Sequence, residues 1–105
     1  MRRITEREKE EIDMFLRESN NVQRMKVASD NGRPAVEPLQ CALCDKFKTL
    51  AKGGLRDTFK QMVGRMAKDI MEAKGYRQVE DTNKKPVKVL VDGCLFTTAS
   101  RYEHT

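Results

Sequence analysis

The amino-acid sequence predicts an α+β fold, in which helices occupy the N-terminal two-thirds and an antiparallel β-hairpin or small sheet follows at the C-terminus. The prediction depends on a change of period. Apolar residues recur every three to four positions up to Gly75, whereas beyond it they alternate with polar residues. Helices followed by strands in this order are typical of an α+β domain with one hydrophobic core. We therefore expect a single domain over residues 1–105.

Composition narrows the class of protein. Apolar residues make up 38% of the 105 residues and charged residues 35%, which allows one domain core under a charged surface. The net charge of +5 at pH 7 permits a polyanionic partner without requiring one. No apolar run approaches the roughly 20 residues needed to cross a bilayer, and the chain after Met1 is charged where a signal peptide is apolar. The three cysteines, an odd number, do not form a disulfide framework, which is typical of a reducing compartment. Together these observations predict a cytoplasmic protein without a membrane partner.

The first helix is predicted over residues 5–18. Thr5 and Glu8 have the spacing of a capping box, and acidic residues in the first turn suit the positive end of the helix dipole. The early turns are charged and are expected to stand in solvent. Three apolar side chains of the later turns share one face: Ile12, Phe15 and Leu16. We expect this partial stripe to touch the core, and it is also a candidate homodimer interface. With the residues around it, the helix forms a charged N-terminal segment over residues 1–21.

The next segments mix irregular chain and helix. Residues 22–27 fit neither period and are interpreted as a short strand or an extended linker. Asn31 and Gly32 predict a turn-rich loop. A second helix is expected to begin near Pro38 and to end at Gly53. Its narrow apolar stripe consists of Leu39, Leu43, Phe47 and Leu50.

A third helix, over residues 55–74, is the strongest pattern in the chain. Its apolar residues keep to one face: Leu55, Phe59, Met62, Val63, Met66, Ile70 and Ala73. Gly75 suits the left-handed position that follows a helix end. The second and third helices together form a predicted helical hairpin over residues 38–75.

The remaining residues predict strands. Residues 76–80 can form one strand, and residues 87–91 alternate as a strand with one buried face. Asp92 and Gly93 form the favoured two-residue hairpin turn, after which the chain pairs back. We expect a β-hairpin within residues 76–97 and a frayed tail over residues 98–105.

This order of elements resembles the winged helix, in which a helical hairpin is followed by a β-hairpin whose loop forms the wing. The resemblance is one of architecture, and a fold alone does not determine function. It implies that the third helix is a recognition helix and that residues 82–85 form the wing.

The polar face of the third helix carries candidate nucleic-acid-binding residues. They are Lys60, Gln61, Arg65 and Lys68. Lys and Arg neutralise phosphates, and Arg and Gln can form paired hydrogen bonds with the edges of guanine and adenine. Gly64 lies among them, where bare backbone would let a phosphate or another chain approach closely. The structural alternative is an ordinary charged helix surface with a tolerated glycine, which costs about 1 kcal/mol relative to alanine.

The predicted wing supplies three further candidates: Lys84, Lys85 and Lys88. A basic hairpin loop can contact backbone phosphates with an affinity that falls as salt rises. The structural alternative is a solvated loop, because Glu80 and Asp81 cancel part of its charge and lysines also protect strand edges from aggregation. The phenylalanines lie on apolar faces, so contact with a duplex is favoured over stacking on single-stranded bases.

The cysteines permit a different site. Cys41 and Cys44 have the spacing of zinc and dithiol motifs, and Cys94 with His104 would complete a four-ligand set. The close pair lies within a helical pattern and His104 is next to last, so small thiols at the edge of the core are the favoured interpretation, and no metal or other cofactor is predicted. The single histidine lies in the tail and no nucleotide-binding motif is present, so no enzymatic activity is predicted.

The sequence thus favours a small non-enzymatic protein that binds nucleic acid, specifically duplex DNA, in a regulatory role. The alternative is a protein-interaction module, an adaptor or an inhibitor of a larger cytosolic partner, without nucleic-acid binding. The even spread of charge along the chain favours this alternative.

Overall fold

The computed structural model describes residues 3–79, 87–91, 94–98 and 100–105, with the backbone alone for the two ranges 87–91 and 94–98. Within these ranges the chain has five α-helices, followed by four short strands at the C-terminus. The α+β prediction is confirmed at this level.

Helix α1 spans Glu6–Arg17 and begins as the sequence predicts. The Thr5 side chain accepts a hydrogen bond from the Glu8 backbone N–H at 3.1 Å, and the Glu8 carboxylate accepts one from the Thr5 N–H at 2.9 Å. This capping box satisfies two backbone donors that the helix itself leaves unpaired. The first turns are largely exposed, as expected.

The apolar stripe of α1 belongs to the core of the chain. Ile12 and Leu16 are fully buried, and Phe15 packs its ring edge-on against Phe47 with 6.0 Å between ring centroids. Ile12 and Leu16 are therefore covered by the same molecule and cannot form the homodimer interface expected at this stripe, whereas Phe15 is half-buried.

Residues 22–27 belong to a second helix, α2, which spans Ser19–Asp30. Neither the strand nor the linker interpretation of this segment is correct. The polar residues of α2 interrupt the apolar period, but Val22, Met25 and Ala28 are buried. Their spacing of three is compatible with one helix face, and packing against the rest of the chain stabilises a helix that the pattern alone does not reveal.

The predicted second helix is divided into three pieces. A 3₁₀ turn at Glu37–Leu39 leads into α3 (Gln40–Lys46), and α4 (Lys48–Ala51) follows after a break at Phe47. The Phe47 backbone leaves helical geometry, with φ −117° and ψ 46°. Its ring lies between Phe15 and Phe59, with a centroid distance of 5.8 Å to the latter. Aromatic packing in the core accompanies the break in the helix.

Helix α5 spans Arg56–Ala73, and its position and length confirm the prediction for the third helix. Gly75 follows with φ +86°, the left-handed conformation that glycine adopts most easily. The buried face is rotated relative to the predicted stripe, because Ala67 and Met71 are fully buried whereas Ala73 is exposed.

The four strands form two antiparallel pairs. Strand β1 (Tyr76–Gln78) pairs with β4 (Tyr102–His104), and β2 (Val87–Val91) pairs with β3 (Cys94–Thr98). The β2–β3 hairpin confirms the strands predicted there, because Val91 opposite Cys94 is the register that a two-residue turn requires. The turn residues themselves lie outside the described ranges.

Two predictions about the C-terminal region are wrong. Strand β1 pairs with β4, so the hairpin expected over residues 76–97 consists of β2 and β3 and does not include β1. The tail is not frayed, because Tyr102 is buried and the Thr105 N–H and hydroxyl both donate to the Gly75 carbonyl, at 2.9 and 2.7 Å. Long-range pairing of this kind leaves only a weak local signature in a tail of polar residues.

The core joins all of the helices to the β1–β4 pair. Strand β1 packs against α5, and β4 packs against α2. The radius of gyration is 13.2 Å, close to the value of about 13 Å expected for a folded domain of this length. Within the described residues, no helix is long and apolar enough to span a membrane.

Candidate nucleic-acid interface

A groove of about 440 Å³ runs between α5 and the β1–β4 pair. Five of the residues that line it come from α5, one from β1, and two from β4 and the residues just before it. They are Lys60, Gln61, Gly64, Arg65, Lys68, Gln78, Ser100 and Tyr102. We call this feature the α5–sheet groove. It contains all four candidate nucleic-acid-binding residues that the sequence places on the third helix.

Helical geometry brings the α5 residues together. Lys60, Gly64 and Lys68 are separated by four positions each and form one row along the helix, and Gln61 and Arg65 form the row beside it. Three cationic side chains and one amide thus face the same groove. The lining of the groove includes the four side chains that the helical spacing placed on one face.

The charge of the groove is partly balanced at its edges. The Lys60 ammonium lies 3.9 Å from the Asp57 carboxylate, and the Lys68 ammonium lies 3.8 Å from that of Glu72. Both carboxylates are exposed, and exposed ion pairs contribute at most about 1 kcal/mol. Arg65 forms no ion pair with any residue in the described part of the chain. A polyanion could therefore replace Asp57 and Glu72 at small cost.

Gly64 provides open space in the groove. A Cβ atom at this position would meet no described atom within 4 Å outside the local helix backbone. The glycine is therefore not required by close packing within the chain. Its bare backbone leaves room for a ligand group to reach the helix surface.

Tyr102 contributes a neutral hydrogen-bonding group. Its side chain is buried, and burial together with the nearby carboxylates of Glu72 and Asp69 raises its pKa to about 12. A phenol is protonated at neutral pH, and the raised pKa extends its protonation into the alkaline range. Its hydroxyl makes no hydrogen bond to the described residues.

Three lining residues are not among those predicted from the sequence: Gln78, Ser100 and Tyr102. They reach the groove through the pairing of β1 with β4, which joins residues about 25 positions apart. The one local signal was Tyr102 itself, since a tyrosine in a short polar tail favours a strand. Without its pairing partner, that signal is too weak to define a site.

The predicted wing is only partly described. Lys84 and Lys85 lie outside the described residues, and for Lys88 the structure describes a backbone position in β2, opposite Thr97. The strands on either side of residues 82–85 belong to different pairs, because β1 pairs with β4 and β2 with β3. The expectation of a loop closing one hairpin there is therefore wrong.

Among the four candidate zinc ligands, the three whose side chains the structure describes do not form a metal site. Cys41 is exposed and Cys44 is buried, and both are free thiols. The His104 ring instead packs edge-on against Tyr76, with 4.9 Å between centroids. Among the residues with described side chains, no three of His, Cys, Asp or Glu are grouped closely enough to hold a metal ion. The Cys94 side chain is outside that set.

The fold and the groove together define a small α+β protein with a cationic cleft between its longest helix and a two-stranded sheet. No protein-family model, no curated protein and no solved structure matches the chain.

Proposed function

We propose that this protein is a small non-enzymatic nucleic-acid-binding protein that contacts duplex DNA through the α5–sheet groove. The observation that carries the proposal is the convergence of Lys60, Arg65 and Lys68 with Gln61 on one groove. In this proposal the role is regulatory and the location cytoplasmic.

In this proposal the three cations neutralise backbone phosphates. Phosphate contacts give affinity and position, whereas contacts with base edges give sequence preference. Gln61 is the candidate for such a base contact, because its amide can pair with adenine. Open space at Gly64 lets the phosphate backbone approach α5 closely.

The aromatic side chains favour a duplex over a single strand. Proteins that bind single strands stack bases on exposed aromatic rings. Among the aromatic side chains that the structure describes, none is exposed: Phe15, Phe47, Phe59, Tyr76 and Tyr102. In the proposal α5 acts as the recognition helix, and Lys84, Lys85 and Lys88 are further candidate phosphate contacts.

The test is binding of a labelled random-sequence duplex by fluorescence anisotropy over a range of salt concentrations. Neutralising Lys60, Arg65 or Lys68 to Gln should weaken binding and lower the slope of log affinity against log salt by about one each. Lys74→Gln is the matched control, because Lys74 is exposed beyond the end of α5 and does not line the groove. Equal effects of all four substitutions would contradict a site in the groove.

The second candidate function is a protein-interaction module, an adaptor or an inhibitor of a larger cytosolic partner. The mixture of acidic and basic side chains on the surface of α5 favours it, because it gives no continuous positive face. Duplex binding that is absent at low salt would make this module the better assignment.

A further inference from the structure

A second groove, of about 660 Å³, shares no residue with the α5–sheet groove. It is formed by the segment before α1, by α1 itself, and by the chain from α4 to the first turns of α5. We call it the N-terminal groove. Its volume is in the range of sites that enclose a ligand or a peptide side chain.

The N-terminal groove has a cationic rim. Arg3, Lys9 and Lys52 line it, each from a different segment, and no acidic residue is among the described residues that do so. The Lys9 ammonium lies 3.0 Å from the carboxylate of Glu6. Because the Glu6 side chain is 86% exposed, this ion pair is weak, and a carboxylate of a ligand can replace Glu6 at small cost. Arg3 and Lys52 form no ion pair within the described chain.

The interior of this groove is apolar. Ile4 is buried there, and Leu55 and Met62 are half-buried against the core. Met side chains adapt readily to the shape of a bound group. An apolar centre surrounded by a polar rim is the usual anatomy of a protein-binding patch.

We propose that the N-terminal groove binds an acidic peptide segment of a partner protein, with one large apolar side chain inserted between Ile4, Leu55 and Met62. Arg3, Lys9 and Lys52 surround the opening of the groove, and a peptide with several carboxylates along its length can form an ion pair with each of them. A second copy of this chain is a poor occupant, because it carries a net charge of +5. A duplex would leave the apolar interior unfilled. The proposal does not rest on nucleic-acid binding.

The probe is a fluorescein-labelled short peptide rich in Asp and Glu with a central Phe–Leu pair. We expect saturable binding that Lys52→Glu weakens by about tenfold or more, since reversal adds repulsion where attraction is lost. A second peptide, with Ser in place of Phe and Leu, should bind at least about tenfold more weakly, and it tests the apolar part without changing the protein. Lys74→Glu is the control for net charge.

Three results would overturn the proposal. One is no saturable binding of the Phe–Leu peptide, and another is equal affinity for the wild type and Lys52→Glu. The third is a loss with Lys74→Glu or Lys68→Gln as large as that with Lys52→Glu, which would show a general charge effect or binding in the α5–sheet groove. Weaker duplex binding by Lys52→Glu, with peptide binding unchanged, would assign the N-terminal groove to the nucleic-acid surface.

Discussion

Two glycines, one within α5 and one just after it, differ in whether the fold requires a glycine at their position. Gly64 lies in the middle of α5 with helical backbone and open space where a Cβ would be. Gly75 has φ +86°, a conformation that L-amino acids with a side chain adopt only with strain. The backbone conformation therefore requires a glycine at residue 75 but not at residue 64. At residue 64, the proposed close approach of a ligand would account for the glycine.

Gly64→Ala should raise the free energy of unfolding by about 1 kcal/mol, because alanine is the better helix former. Gly75→Ala should lower it by about 1–2 kcal/mol through left-handed strain. Urea denaturation measures both. The added methyl group at residue 64 should also weaken duplex binding under the proposed function. An alanine variant that is more stable and binds equally well would support the interpretation of Gly64 as a tolerated glycine.

At the scale of single elements, α1 depends on its capping box. The first two turns of α1 are mostly exposed, so the capping hydrogen bonds contribute a large part of their stability. Ile4 is buried just before the helix, which gives the cap a fixed position over the core.

Thr5→Ala should lower the free energy of unfolding by about 1 kcal/mol, the typical loss when an N-cap side chain is removed. Thr5→Ser keeps the hydroxyl acceptor and is the matched control, with a much smaller change. The measurement is again urea denaturation. Equal losses in the two variants would mean that the methyl group of Thr5, and not its hydrogen bond, is what matters.

Strand β4 is a structural element and not a loose end. Tyr102 is buried on it, whereas its neighbour Glu103 is exposed and pairs with Arg77 at 2.6 Å. The strand therefore offers a buried and an exposed side chain at adjacent positions for comparison.

Tyr102→Ala should cost about 3 kcal/mol or more, because it leaves a cavity the size of an aromatic ring. Glu103→Ala should cost less than about 1 kcal/mol, because it removes only an exposed ion pair. Thermal or urea unfolding measures both. A frayed tail would instead give small and similar changes at the two positions.

At the scale of the whole molecule, both tyrosines connect distant parts of the chain. The Tyr76 hydroxyl on β1 donates to the Asp30 carboxylate at the end of α2, at 2.8 Å. Burial, this hydrogen bond and the Asp30 charge raise the pKa of Tyr76 above its usual value of 10.0. Burial, Glu72 and Asp69 raise that of Tyr102 to about 12. The folded protein thus retains phenol protons that the unfolded chain loses.

The free energy of unfolding should therefore be independent of these tyrosines below pH 10 and fall as pH rises from 10 towards 12. Only the unfolded chain ionises in that interval, so the loss is about 1 kcal/mol per pH unit for Tyr102. Tyr102→Phe should have a shallower decline, which urea denaturation at several alkaline pH values can measure. A decline as steep as that of the wild type would show that Tyr102 is not the group responsible.

The part of the groove that could be predicted from the sequence is the part that α5 contributes. The row formed by Lys60, Gly64 and Lys68 is a property of one helix, so the sequence was sufficient to place it on one face. Gln78, Ser100 and Tyr102 complete the same groove from strands that meet only on folding. The α5 side of the groove was therefore predicted, and the sheet side was not.

The sequence by itself determined the features that depend on neighbouring residues: the Thr5–Glu8 cap, the course of α5, the left-handed Gly75 and the β2–β3 register. Only the tertiary structure decided the helix at residues 19–30, the break at Phe47, the rotation of the buried face of α5, and the pairing of β1 with β4. Local features are specified by hydrogen bonds and backbone preferences within a few residues. The others arise from the burial of side chains that are distant along the chain, and their free energy is gained only once the whole core has assembled.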